Sequence, residues 1–346
     1  MFTLSLENPL VMLYARLIGW TLLGYVLGKL LPKIFTTYLG KALLFVGVPI
    51  SIISFLRQAD LSGWIVIAPA TAWVAILVGA GLAWIWIDLG LSDERFSKLS
   101  KGITAREKAI ESRSASDPDS DTALEYKSSW SGATQGSFLL AMTLGNTAFM
   151  GYPVSLALVG PQYFAWSLFY DLIGSTIAAY SVGIALASRF GSVSGGQKKP
   201  NPFVSMAKTP ALWSLPIGVG MRFIPLPTVI SAGMNTIAWT TVTLSLVMIG
   251  MQLSQLKTLR NVKTALTCLS IKMLLTPLVV GTGLMFFGVT GEPRMAMVLQ
   301  MAMPPAFSTL VIAQAYNLDR DLTVTTLAFG VVLLLFTIPI WLWLFS

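Results

Sequence analysis

Residues 143 to 160 read TLGNTAFMGYPVSLALVG, a run apolar enough to lie in a membrane yet carrying residues that a membrane helix normally avoids. Gly145, Asn146, Thr147, Gly151 and Pro153 crowd into nine positions. An interior proline removes one backbone donor and clashes with the preceding turn, and glycine resists unwinding little, so the stretch predicts a helix broken near its centre at Pro153. Breaks at bilayer depth are tolerated only where the freed backbone groups are buried in protein or line a cavity. Asn146 and Thr147 beside this break point to a site rather than a simple kink.

The rest of the chain is of the same kind. It has 346 residues, 55% of them hydrophobic and 11% charged, with a mean hydropathy of +0.73. Its apolar runs exceed the roughly 20 residues needed to cross a bilayer core. A membrane β-barrel would instead alternate in segments of about ten residues, so the class is an all-α polytopic membrane protein. The net charge of +8 reads as loop charge that sets orientation, and nucleic acid is excluded as a partner. With one cysteine, Cys268, and no histidine, there is no intrachain disulfide, no Ser-His-Asp arrangement and no HExxH zinc site. No cofactor or metal is expected. The start, MFTLSLENPL, lacks a basic region and predicts a retained first span rather than a cleaved signal.

The hydropathy pattern predicts ten spans: 9–30, 34–56, 63–87, 134–159, 164–187, 203–223, 229–253, 265–287, 295–316 and 322–345. A hydrophilic loop, 91–129, separates spans 3 and 4, with seven basic and eight acidic residues between Asp93 and Lys127. Within it, Thr104 to Glu107 fits a capping box. A basic, glycine-rich linker, 189–202, divides the chain into a first repeat, 1–188, and a second, 203–346. With the termini outside, sixteen lysines and arginines lie in inner loops and three, Arg57, Arg222 and Arg294, in outer ones. The positive-inside bias therefore places both termini outside the cell membrane and the long loop in the cytoplasm.

Five crossings end on the side opposite their start, so a second five-span copy must insert upside down. The fourth span of each five is interrupted by proline, Pro153 in one and Pro304 with Pro305 in the other. Paired broken helices in corresponding positions are the best sequence pointer to a transporter's binding site. Two inverted five-helix repeats whose broken helices 4 and 9 cross near the midplane are expected.

At each break the second half-helix offers unpaired N–H groups and a positive dipole end, which favour a small organic anion. The expected donors are the backbone at Val154 and Ser155 with the Asn146 amide and Thr147, and, in span 9, Ala306, Phe307 and Ser308. Charges inside spans cost roughly 2.5 to 3.5 kcal/mol at a helix centre. Lys41 and Lys208 lie near inner ends and can snorkel. Asp171 and Lys272 fall at similar depths, about 12 Å below the outer and about 16 Å above the inner surface, and form a candidate ion pair. Arg16 is the alternative partner, and Asp171 the best candidate for a proton or cation carrier. Gln135, Asn235, Gln252, Gln300 and Gln314 are read as interhelical hydrogen bonds. Trp341 and Trp343 fit an aromatic belt at the outer interface.

LGNTAFMGYPVSLALVG in span 4, NPFVSMAKTP opening span 6 and MPPAFSTLVIAQAYNLDRDLTVTTLAFGVVLLLFTIPI over spans 9 and 10 resemble the auxin efflux carrier family. The resemblance implies ten helices in two inverted repeats, a crossover of spans 4 and 9, and transport of organic anions such as auxin or dicarboxylates. It also implies a scaffold of spans 1, 2, 6 and 7 that mediates homodimerisation beside a mobile transport unit. Asn146 matches the family's substrate-facing Asn, and Pro153 and Pro304 its crossover prolines. Gly145 stands where plant members carry Pro, and the long loop lies between spans 3 and 4 instead of 5 and 6. The sequence thus predicts a secondary transporter and no enzyme. The competing reading is a sodium-coupled organic anion symporter of the bile-acid transporter type, which shares the crossover logic.

Overall fold

The computed structural model describes residues 9–89, 130–192, 202–256 and 259–345. The capping box at Thr104 to Glu107, the loop that holds it and most of the 189–202 linker lie outside the described residues. Thirteen helices make up the rest, and among the described residues there is no strand beyond one isolated backbone bridge. Seven helices are long and apolar enough to cross a membrane. They are α1 (Pro9–Leu30), α2 (Lys33–Leu56), α3 (Ile67–Asp88), α6 (Gly160–Phe190), α9 (Thr228–Ser254), α10 (Val262–Phe286) and α13 (Arg320–Phe345). The other three expected spans are each divided in two. These are α4 (Gly132–Thr143) with α5 (Thr147–Leu158), α7 (Pro202–Ala207) with α8 (Pro210–Met221), and α11 (Gly291–Met301) with α12 (Ser308–Ala315).

The prolines act differently from the sequence expectation. Three of them, Pro49, Pro153 and Pro277, each follow by two residues a widened π-type turn, at Leu43–Gly47, Thr147–Gly151 and Ile271–Leu275. In those turns donors reach back five residues, as from Val48 to Leu43, Gly151 to Asn146 and Thr276 to Ile271. One extra residue in the turn relieves the clash of the pyrrolidine ring with the carbonyl four residues earlier and spares the helix a break. Pro153 is therefore inside α5, and the break lies upstream at Leu144 to Asn146.

The helices gather in two groups. In one, α1 lies along α9, and α2 packs on both α8 and α9. A Cβ on Gly24 would stand 2.0 Å from the Val247 carbonyl oxygen, and one on Gly250 2.0 Å from that of Thr21, so these two backbones touch. This close approach is the membrane's substitute for hydrophobic driving force between helices. Gly24→Leu is expected to separate α1 from α9 and to cost upward of about 3 kcal/mol, read as a lowered thermal unfolding midpoint in detergent. The ends of α2 and α8 clasp each other: Arg57 donates to the carbonyls of Met221 and Ile224, and Arg222 to those of Leu56 and Ala59. Each guanidinium thus satisfies the partner helix's last carbonyls at the negative end of its dipole.

In the second group α3 packs on α4, α6 and α10, while α11 packs on α6, α10 and α13. Trp341, expected at the outer interface, instead belongs to this core at 1% exposure, stacked on Phe345, whereas Trp343 is 81% exposed. Arg16 is exposed on α1.

Candidate functional site

The two chain breaks meet. Leu144 adopts an extended conformation after α4, and the corresponding gap between α11 and α12 runs from Ala302 to Phe307. Gly145 and Pro305 face each other in an antiparallel bridge, the Asn146 N–H donates to Pro304 O at 2.7 Å, and the Ala306 N–H donates to Leu144 O at 3.0 Å. Groups freed from two helices away from water thereby satisfy one another. Pro304 and Pro305 carry no N–H, which leaves Ala306 as the donor on that side.

Beside this bridge lies a cavity of about 1170 Å³ between the two helix groups. One wall is α2 with Gln252 and Gln255 near the end of α9, and the other is built from α5, α6, α12 and α13. Gly145, Asn146, Thr147, Ala148 and Phe149 line its floor, and opposite them Ala306, Phe307 and Ser308. The N–H groups of Thr147, Ala148 and Phe149 belong to the first turn of α5 and have no acceptor within that helix. The Asn146 side-chain amide makes no hydrogen bond to another described residue, whereas its backbone oxygen accepts from Met150 and Gly151. Lys33, Lys41 and Arg320 also line the cavity, together with Asp321, which is 3.7 Å from Arg260.

Several expected site residues fall elsewhere. Pro153, Val154 and Ser155 are buried within α5 and do not line the cavity. Ser155 Oγ instead accepts from Ser167 at 2.9 Å and from Gln300 Nε2 at 3.3 Å. The Ala306 N–H is spent on Leu144, while Pro304 and Pro305 stand behind the cavity wall. Asp171 and Lys272 are not an ion pair. Asp171, 4% exposed on the wall of the cavity, accepts from Thr147 Oγ1 at 2.5 Å and Tyr152 OH at 2.6 Å. Lys272, 7% exposed, donates to Met142 O at 3.0 Å from the far side of the break. Arg16, exposed on α1, forms an ion pair with neither. Gln252 and Gln314 line the cavity, Gln58 donates to Asn235, and Gln135 bonds locally to Trp130 O.

Tyr152, Lys33 and the wall position of Lys41 escaped the sequence reading. Tyr152 stood in the opening stretch beside Pro153, but a tyrosine there carries no signal of its own until Asp171 is seen opposite. Glycine tolerance separates the two sides of the bridge. A Cβ on Gly145 would meet nothing closer than 3.5 Å, whereas one on Gly330 would sit 2.7 Å from Pro304 Cβ. Gly145→Ala is expected to leave the unfolding midpoint unchanged. Gly330→Ala, which has a rigid ring in its way, is expected to lose about 1 to 3 kcal/mol.

Residues 198–342 match the family model described as a membrane transport protein. Over this stretch the chain is similar to the auxin efflux carriers. A transporter of Methanothermobacter thermautotrophicus is 25% identical to it over 340 residues, 97% of each chain. Another, of Methanocaldococcus jannaschii, is 27% identical over 214 residues, 60% of this chain and 68% of that one. Both are described as uncharacterized transporters. The match covers α7 to α12 and most of α13, so it takes in the second of the two breaks. With seven helices long and apolar enough to cross a bilayer and a second part similar to membrane transport proteins, this is a multi-pass membrane protein.

Proposed function

We propose that this protein is a member of the auxin efflux carrier family and a secondary transporter that moves a small organic anion, a carboxylate with an apolar body, by alternating access. The observation that carries the reading is the first turn of α5, with three N–H groups and the Asn146 amide, on the floor of a cavity lined also by lysine and arginine. Donors at a helix N-terminus attract a carboxylate. Leu44, Val48, Leu172, Leu310 and Val311 line the walls beside an apolar body.

In this reading the paired halves α4–α5, α7–α8 and α11–α12 complete ten crossings in two inverted repeats, and the first and third of these pairs are the crossing helices. The charge bias puts the termini outside, so that Lys33, Lys41 and Arg320 mark an inward-open mouth. The group of α1, α2, α8 and α9 is the scaffold of a homodimer, and its exposed apolar faces, with Ile18, Leu22 and Val26 on α1, meet lipid or the second copy. The second group moves against it. Asp171, held by two hydroxyls at the cavity wall, is the coupling group.

The test is uptake into proteoliposomes of labelled carboxylates, benzoate, indole-3-acetate and succinate, under imposed sodium and proton gradients. Saturable uptake of at least one, inhibited by the unlabelled anion, is the expected result. Uptake of none above empty liposomes contradicts the reading.

A further inference from the structure

The large cavity ends against a closed layer in which the two helix groups meet. Its lining on α2 stops at Val48, and on α6 it begins at Asp171. Beyond these limits Ile52 and Phe55 on α2, and Leu168 and Phe164 on α6, are at most 1% exposed. Val48, Ile52 and Phe55 are spaced i, i+4, i+7, as are Phe164, Leu168 and Asp171, so each set lies on one face of its helix. Phe55 meets Phe164 edge-on, with ring centroids 5.3 Å apart and planes at 77°, and backs onto Trp239 of α9 at 5.4 Å. From the cavity limit to this ring pair the layer is roughly 10 Å deep at about 1.5 Å per residue. Just beyond it the Asp60 N–H, in the connection that follows α2, donates to Gln162 O at the start of α6 at 2.8 Å.

One side chain joins this layer to the cavity wall. The Tyr152 ring stands edge-on to Phe164, with centroids 5.1 Å apart and planes at 84°, while its hydroxyl donates to Asp171 Oδ2 at 2.6 Å. Phe164 is thus held between Phe55 of one helix group and Tyr152 of its own. Edge-to-face ring pairs have a specific geometry, and packed side chains change between discrete arrangements rather than deform by degrees. We propose that Phe55 and Phe164 are the outer gate of the transport route, and that Tyr152 is a positioning residue that ties this gate to Asp171. The inference rests on the transport reading above and deepens it by assigning the seal opposite the inner mouth. With its hydroxyl on Asp171, Tyr152 keeps its ring against Phe164 and Phe164 against Phe55. A change at Asp171 that frees the hydroxyl releases the ring and favours the state in which the two faces part.

The test uses the full chain with Cys268→Ser in membrane vesicles of either orientation. Two cysteine reporters, Ile52→Cys inside the layer and Ala148→Cys on the cavity floor, are labelled with a membrane-impermeant thiol reagent. Ile52→Cys is expected to react slowly from outside, and Ala148→Cys readily from the cytoplasmic side. Phe164→Ala is expected to speed the outside reaction of Ile52→Cys about ten-fold or more. Tyr152→Phe keeps the ring and removes only the hydroxyl, so it is expected to speed that reaction about three-fold or more while leaving Ala148→Cys no faster. An outside rate unchanged by Phe164→Ala overturns the gate, and one unchanged by Tyr152→Phe overturns the tie. A merely structural role for either residue would lower the unfolding temperature and speed both reporters together, which overturns that residue's part in the proposal. These readings stand without transport. In the flux assay, oxidation of an Asp60→Cys, Gln162→Cys pair to a disulfide is expected to stop uptake, and reduction to restore it. Uptake that continues in the cross-linked protein overturns the gate, whereas absence of all carboxylate uptake by wild type counts against the transport reading alone.

Discussion

Asn146→Ala is expected to abolish carboxylate transport while leaving the protein folded. Among the described residues the amide, beside the open N–H groups of α5, is a side-chain donor whose bonding capacity is not spent on the protein, and it lies on the cavity floor. A hydrogen bond to a charged group contributes about 1.5 to 3 kcal/mol, which corresponds to roughly ten- to more than a hundred-fold in affinity. The helix end adds about 0.3 to 1 kcal/mol and survives the substitution. Loss of the amide is therefore expected to dominate. The backbone bonds of Asn146 to Pro304, Met150 and Gly151 do not involve its side chain, so the unfolding midpoint should hardly move. Initial uptake rates and melting of the same preparation check both halves, and unchanged uptake would remove Asn146 from the site.

Asp171→Ala is expected to have the next largest effect, and a different signature. The carboxylate accepts from Thr147 and Tyr152, both in α5, so it pins the first turns of that helix to α6. Removing it strands two buried hydroxyls at about 1 to 3 kcal/mol each. Uptake should fall at least ten-fold and the unfolding temperature should drop as well. Asp171→Asn separates the roles. An amide retains one acceptor oxygen but sets a donor against the second hydroxyl, so it should keep more stability than alanine while still failing to drive accumulation, because it cannot titrate. Net accumulation by Asp171→Asn equal to wild type would remove Asp171 from coupling.

Which parts of this were legible from the chain follows from what each signal measures. An apolar run of bilayer length is a one-dimensional property, and α1 is found at Pro9–Leu30, the range expected from hydropathy alone. The interruptions in spans 4 and 9 were equally legible because glycine and proline act locally. Pro304 and Pro305 mark their break correctly, since two successive residues without N–H groups cannot continue a ladder. Pro153 misled, because a single proline is absorbed by a π-type turn and the actual break needed the pairing of Leu144 and Asn146 with a strand of chain about 160 residues away.

Depth arithmetic failed for Asp171 and Lys272 for a related reason. A rise of about 1.5 Å per residue fixes height along a helix but not the direction in which a side chain points. Of the two residues, one faces the cavity and the other the end of α4. Lys33 and Lys41 were legible only as snorkelling or loop charge, because their place on a cavity wall depends on how α2 stands against α12 and α13.

The claim on which the rest depends is that an anion sits at the first turn of α5, in the cavity that Lys33, Lys41 and Arg320 also line. Ala148, half-buried on that floor, allows a direct measurement. In a Cys268→Ser background, which removes the one native and fully buried thiol, Ala148→Cys should react with a membrane-impermeant thiol reagent applied from the cytoplasmic side, and a transported carboxylate should slow that reaction with the concentration dependence of uptake. Reaction at the same rate with and without saturating carboxylate, in protein that still transports it, would contradict the account.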